Sequence, residues 1–121
     1  MHREFSRSDR FGHLLQREIA ELVRSEVKDP RASGVTILDV EVSRDLAHAN
    51  VYFSVLGDSD HGAVEKAMNR ASGFLRHELA QRLDVRTIPQ LRFRYDETEE
   101  RALALSKLID EAVARDRGDE G

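Results

Sequence analysis

The spacing of apolar residues in this chain switches between three-and-four and alternate positions, and the order of those switches limits the fold more than any other feature. Phe11, Leu14, Leu15, Ile19, Leu22, Val23 and Val27 recur at spacings of three and four. They form one stripe of an amphipathic helix of about 18 residues. Ser6 or Ser8 caps its start, and Asp29-Pro30 marks its end, because the residue before a proline avoids the helical region. Two β-branched, partly alternating runs follow, at 35–42 and 49–56. In the second, Ala49, Val51, Phe53 and Val55 face one way while Asn50, Tyr52 and Ser54 face the other. The Ser43-Arg44-Asp45-Leu46-Ala47 link is short enough for a hairpin.

A second helix buries Val64, Ala67, Met68, Ala71, Leu75 and Leu79. Leu91, Phe93 and Tyr95 then alternate with Arg92 and Arg94 as a third strand, with Pro89 fixing its approach from outside the ladder. Phe53, Phe74 and Phe93 are expected in the core. Asp96 and Glu99 make a capping box for a last helix, whose core face is Ala102, Leu105, Leu108, Ile109, Ala112 and Val113. The order α-β-β-α-β-α predicts an α+β domain, with helices on one face of a small antiparallel or mixed three-stranded sheet. One domain is expected over residues 1–115, with a polar tail at 116–121.

Several classes fall away on composition. The 121 residues contain no cysteine, which removes disulfides, thiolate–zinc sites and cysteine nucleophiles. No apolar run approaches the roughly 18 residues a membrane span needs. The N-terminal stretch lacks the apolar core of a secretory signal, so a cytoplasmic location is expected. Net charge is −4, yet it is segregated: +1 over residues 1–31, −5 over 32–65, +5 over 66–95 and −5 over 96–121. Phosphate binding responds to potential within about a Debye length (~8–10 Å), not to the total. The basic middle is therefore either a solvated helix face or an anion-binding surface.

On a helical wheel of about 100° per residue, Lys66, Arg70, Gly73 and His77 fall together, opposite Val64, Ala67, Met68 and Ala71. Glycine inside a helix costs roughly 1 kcal/mol relative to alanine, so Gly73 needs a reason. Three are open: a kink at Ser72-Gly73, close approach by another backbone such as a phosphate chain, or a helix–helix contact. A straight helix would return Arg82 to the apolar face beside Val64. A break near Gly73 instead rotates Phe74, Leu75, Leu79 and Leu83 inward, leaving Arg76 and Arg82 more outward. Arg86, Arg92 and Arg94 continue the positive charge. Aromatics are too few for a paired stacking platform, so recognition by shape and phosphate contact is expected.

Catalytic constellations are not evident. Gly57-x-x-x-x-Gly62 has a Walker-like interval but continues Ala63-Val64, and the glycines form no dinucleotide fingerprint. The five histidines lack metal-ligand spacing. His61, near the loop carboxylates Asp58 and Asp60, has no evident nucleophile partner. No catalytic residue, metal or cofactor is expected.

These residues carry a resemblance. Gln16-Arg17-Glu18-Ile19-Ala20, Val27-Lys28-Asp29-Pro30-Arg31 and Val42-Ser43-Arg44-Asp45-Leu46 resemble the bacterial ribosome-binding factor A family. So do Arg70-Ala71-Ser72-Gly73-Phe74-Leu75-Arg76 and Leu83-x-Val85-Arg86-x-x-Pro89-x-Leu91-x-Phe93-x-Tyr95-Asp96, and the likeness spans residues 3–114 in order. It implies a type II KH-like fold in which an Ala-x-Gly kink, here Ala71-Ser72-Gly73, replaces the usual G-x-x-G loop. It also implies a monomeric factor that binds the immature small ribosomal subunit and its rRNA. Such a factor assists late maturation, rRNA processing and growth in the cold, alongside other assembly factors and a releasing GTPase. Gly12 stands where a larger helix residue would be expected.

The resulting reading assigns phosphate contacts to Lys66, Arg70, Arg76, Arg82, Arg86 and Arg94, with Ser72 and Gly73 shaping the kink. Lys28, Arg31 and Arg44 assist. The competing reading is a protein-interaction adaptor of similar fold docking on an acidic partner.

Overall fold

The computed structural model describes residues 6–57, 60–98 and 106–113. Helix α1 spans Arg7–Ser25, and a short 3-10 turn spans Pro30–Ala32. Strands β1, Val35–Val42, and β2, His48–Val55, come next. Two helices, α2 (His61–Arg70) and α3 (Ser72–Arg82), lead to β3, Gln90–Tyr95. Residues 106–113 are helical. The α+β order is the expected one, and the second helix is broken in two.

Helix α1 begins with a reciprocal cap. Ser6 Oγ accepts from the Asp9 N–H at 3.2 Å while the Asp9 carboxylate accepts from the Ser6 N–H at 3.1 Å, satisfying two amide donors that the first turn leaves without helical partners. The helix stops at Ser25, ahead of Asp29-Pro30. Pro30 instead opens the 3-10 turn, whose cap is Asp29, accepting from the Arg31 N–H at 3.0 Å. Gly12 is buried, and a Cβ there would lie 2.5 Å from the Val40 carbonyl oxygen. Its small size lets α1 lie directly on β1.

The strand order is β1-β2-β3, with β1 antiparallel and β3 parallel to β2. Pairing runs from Val35 opposite Val55 to Val42 opposite Ala49, interrupted by a bulge between Ile37 and Asp39. Strict alternation would send Ile37 and Val40 to opposite faces. The extra residue, Leu38, lets both point inward. Gln16 on α1 donates its Nε2 to the Leu38 carbonyl at 2.9 Å, anchoring helix to bulge.

One face of the sheet carries the core. Leu15, Ile19 and Leu22 of α1, Val64 and Met68 of α2, and Leu75 and Leu79 of α3 enclose Val51, Phe53 and Phe93. Two sequence expectations change here. Phe74 is 45% exposed, because the break aims Leu75 and Leu79 into the core and leaves the residue before Leu75 at the rim. The last helix does not contribute the expected core face: Leu108, Ile109 and Val113 are 63%, 53% and 44% exposed, and Ala112 is exposed too. The covered face of a three-stranded sheet is already filled by α1, α2 and α3. Ala102, Leu105, Glu99 and the tail at 116–121 lie outside the described residues.

Candidate nucleic-acid interface

The break between α2 and α3 turns on Ala71, at φ −79° and ψ −6°. Its N–H still donates to the Ala67 and Met68 carbonyls, both at 3.1 Å. Ser72 Oγ donates to the Asn69 carbonyl at 2.7 Å, occupying an acceptor that the end of α2 would otherwise leave open. Ser72 is therefore half-buried and committed to the break. Gly73 is not required by this geometry: it has no positive φ, and a Cβ on it would meet nothing within 4 Å. Its surface is simply open, at the start of a helix that no side chain caps.

The wheel expects Lys66, Arg70, Gly73 and His77 on one outward stripe, and all four are exposed. Arg70 Nε lies 3.4 Å from the Lys66 carbonyl, which aligns its side chain along α2. Phe74 adds an exposed ring beside Gly73. The 3-10 turn packs against α2, so Lys28 and Arg31 lie on an exposed segment neighbouring this helix.

The other predicted cations are scattered. Arg76 is half-buried and donates Nε to the Pro89 carbonyl at 3.0 Å and Nη2 to the Ile88 carbonyl at 3.1 Å. Arg82 faces α1, with Nη1 3.7 Å from Glu18 and 3.6 Å from Glu21. Arg44 sits in the β1–β2 hairpin and Arg86 in the α3–β3 loop, both exposed. Arg94, with Arg92, projects from the sheet face opposite the helices, since Leu91 and Phe93 point into the core.

Sequence reasoning missed the closure of the β3 edge. A strand edge presents unpaired N–H and C=O groups. Asn69 on α2 satisfies both groups of Phe93, donating Nδ2 to its carbonyl at 3.0 Å and accepting from its N–H at 2.8 Å. Glu65, one turn earlier, accepts from the Tyr95 N–H at 2.9 Å. The i, i+4 spacing of Glu65 and Asn69 hints at a shared face, but nothing in it specifies the strand beneath.

A second feature lies where the start of α1, the β1–β2 hairpin and the α3–β3 loop meet. There a groove of about 710 Å³ is lined by Arg7, Arg10, Arg76 and Arg86 over Phe11, Leu14 and Val85. Arg7 and Arg10 belong to a segment whose charges nearly cancel, yet their i, i+3 spacing places them together. Asp45 also lines it, but its carboxylate accepts from Ser43 Oγ at 2.6 Å and from the Ala47 N–H at 3.0 Å. Those two hydrogen bonds, the hydroxyl's first, hold its carboxyl below the usual carboxylate range.

Comparison with known proteins agrees with this architecture. A family model described as Ribosome-binding factor A matches residues 7–109. A ribosome-binding factor A from Thioalkalivibrio sulfidiphilus is 55% identical over 118 residues, covering 97% of this chain and 92% of that relative. The crystal structure of the Thermus thermophilus factor superposes with a TM-score of 0.66 at 28% identity, over 73% of this chain and 93% of that one. Thermus thermophilus ribosome binding factor A as fitted into the cryo-EM map of a 30S complex gives a TM-score of 0.60 at 28% identity, over 71% and 91% of the two chains. The chain belongs to the ribosome-binding factor A family.

Proposed function

We propose that this protein binds the small ribosomal subunit and acts there as an assembly factor, by contact with rRNA and not by catalysis. The observation that carries this reading is its likeness, at 55% identity, to a relative named for ribosome binding, joined to a fold matched by one placed in a 30S complex. The stripe of Lys66, Arg70 and Gly73 is the contact surface, with Lys28 and Arg31 beside it and Phe74 offering a ring to a sugar or base. Arg44, Arg86 and Arg94 make flanking contacts from other faces. Arg76, Arg82 and Ser72 serve chiefly to hold the elements that present that surface.

Phosphate contacts of this kind position RNA without reading its sequence and weaken with salt. The protein acts as a monomer in the cytoplasm, with residues 1–115 as one domain and 116–121 as a polar tail. No helix among the described residues is long and apolar enough to cross a membrane. Its binding assists late maturation and rRNA processing, matters most in the cold, and is shared with other assembly factors and ended by a GTPase. Co-sedimentation with purified small and large subunits tests the reading. Salt-weakened binding to the small subunit alone is expected, and equal binding to both or to neither would overturn it.

A further inference from the structure

The groove at the α1, hairpin and loop junction is built differently from the α2 stripe. Its rim is basic: Arg7, Arg10 and Arg86 have neither ion pair nor side-chain hydrogen bond to any described residue, and Arg76 joins them. Arg76 uses two of its five N–H donors on carbonyls, which leaves three. The rim's carboxylate, Asp45, is hydrogen-bonded within its own hairpin and forms no ion pair with these arginines. The floor, by contrast, is apolar, formed by Phe11, Leu14 and Val85, the last 37% exposed. At about 710 Å³ the space lies within the roughly 300–1,000 Å³ of small-ligand sites.

We propose that this groove receives one unpaired nucleotide of an RNA strand, its base on the apolar floor and its phosphate on the arginine rim. This rests on the RNA-binding reading above and names a second, separate contact. A nucleotide carries a flat, weakly polar base and an anion in one residue, which matches an apolar floor with a cationic rim. A-form duplex keeps its bases stacked inside and presents phosphates and 2′-hydroxyls, so it would satisfy the rim and leave the floor empty. Exposed Thr87 and Gln90 supply hydrogen-bonding groups at the edge where a base would lie. Along the free edge of β3, Asn69 takes both backbone groups of Phe93 and Glu65 takes the Tyr95 N–H, while Arg76 holds the Ile88 and Pro89 carbonyls just before the strand.

The test is a titration of the isotope-labelled full chain, followed by amide NMR. The probes are a short single-stranded RNA, an RNA duplex with the same number of phosphates, and a glutamate-rich peptide. Single-stranded RNA should shift the amides of Leu14, Val85, Thr87, Ile88 and Gln90, while both RNAs shift those of Lys66 and Arg70. Joint reversal of Arg7, Arg10 and Arg86 to Glu should weaken the single strand roughly tenfold. Val85→Lys leaves the arginine rim intact and spoils the floor, so it should weaken the single strand and spare the duplex. Equal groove shifts with duplex, or groove shifts with the peptide alone, would overturn the proposal. Groove silence while Lys66 and Arg70 respond to both RNAs would overturn it and leave the RNA reading standing. Silence of every amide toward both RNAs would overturn both.

Discussion

Two helical glycines occupy opposite kinds of place. Gly12 in α1 is pressed against β1, where an added Cβ would sit 2.5 Å from a backbone oxygen; Gly73 in α3 faces open space. The arginines divide the same way. Arg76 and Arg82 are turned to carbonyls and carboxylates of their own chain, while Arg70, on the same basic segment, is exposed. A residue type that suits a phosphate also suits a carbonyl or a neighbouring helix, so composition alone cannot say which partner it serves. The helix break decides, by aiming one stretch of the segment outward and the next into the fold.

That contrast is broken most severely at Gly12. Gly12→Ala must push a backbone oxygen aside, because no flexible side chain is available to move, and should cost about 1–3 kcal/mol or more of stability by denaturant unfolding. An unchanged midpoint would mean that α1 does not lie so close to β1. Arg76→Ala removes two charge-assisted hydrogen bonds from the approach to β3 and strands two carbonyls, with an expected loss of about 1.5–3 kcal/mol. Arg70→Ala should leave stability unchanged in the same experiment, which separates the fold-facing from the solvent-facing arginine.

Gly73→Ala sharpens the comparison by inverting its sign. With no contact within 4 Å, the extra methyl should stabilise the helix by about 0.4–1 kcal/mol. The same change should weaken subunit binding if a phosphate backbone approaches there. A stabilised variant with unweakened binding would remove Gly73 from the interface. The smallest effect belongs to Arg82→Ala: its ion pairs to Glu18 and Glu21 are long and partly exposed, so a loss below about 1 kcal/mol is expected from thermal unfolding.

Much of this arrangement can be read from residue order. The stripe of α1, the alternation of β2 and β3, and the outward line of Lys66, Arg70, Gly73 and His77 follow from period alone, because each element meets the core on one face only. The bulge at Leu38 does not, since it corrects alternation in β1 through pairing with a distant strand. Leu108, Ile109 and Val113 have the spacing of a core face, yet spacing says only that a helix has an apolar side and not what meets it. The ties of Arg76, Asn69 and Glu65 to β3 and its approach depend on contacts 12 to 30 residues apart. Arg7 and Arg10 are hidden in a segment of near-zero net charge and line a groove only where the hairpin and the α3–β3 loop meet the start of α1.

The central claim is that Lys66 and Arg70 meet rRNA phosphates on the small subunit. The direct measurement is subunit affinity as a function of salt, for the wild type and for the Lys66→Glu, Arg70→Glu double variant. The double variant should stay folded, bind far more weakly, and show a log–log salt slope shallower by about two, one for each lost phosphate contact. A folded double variant with the wild-type affinity and slope would contradict the account.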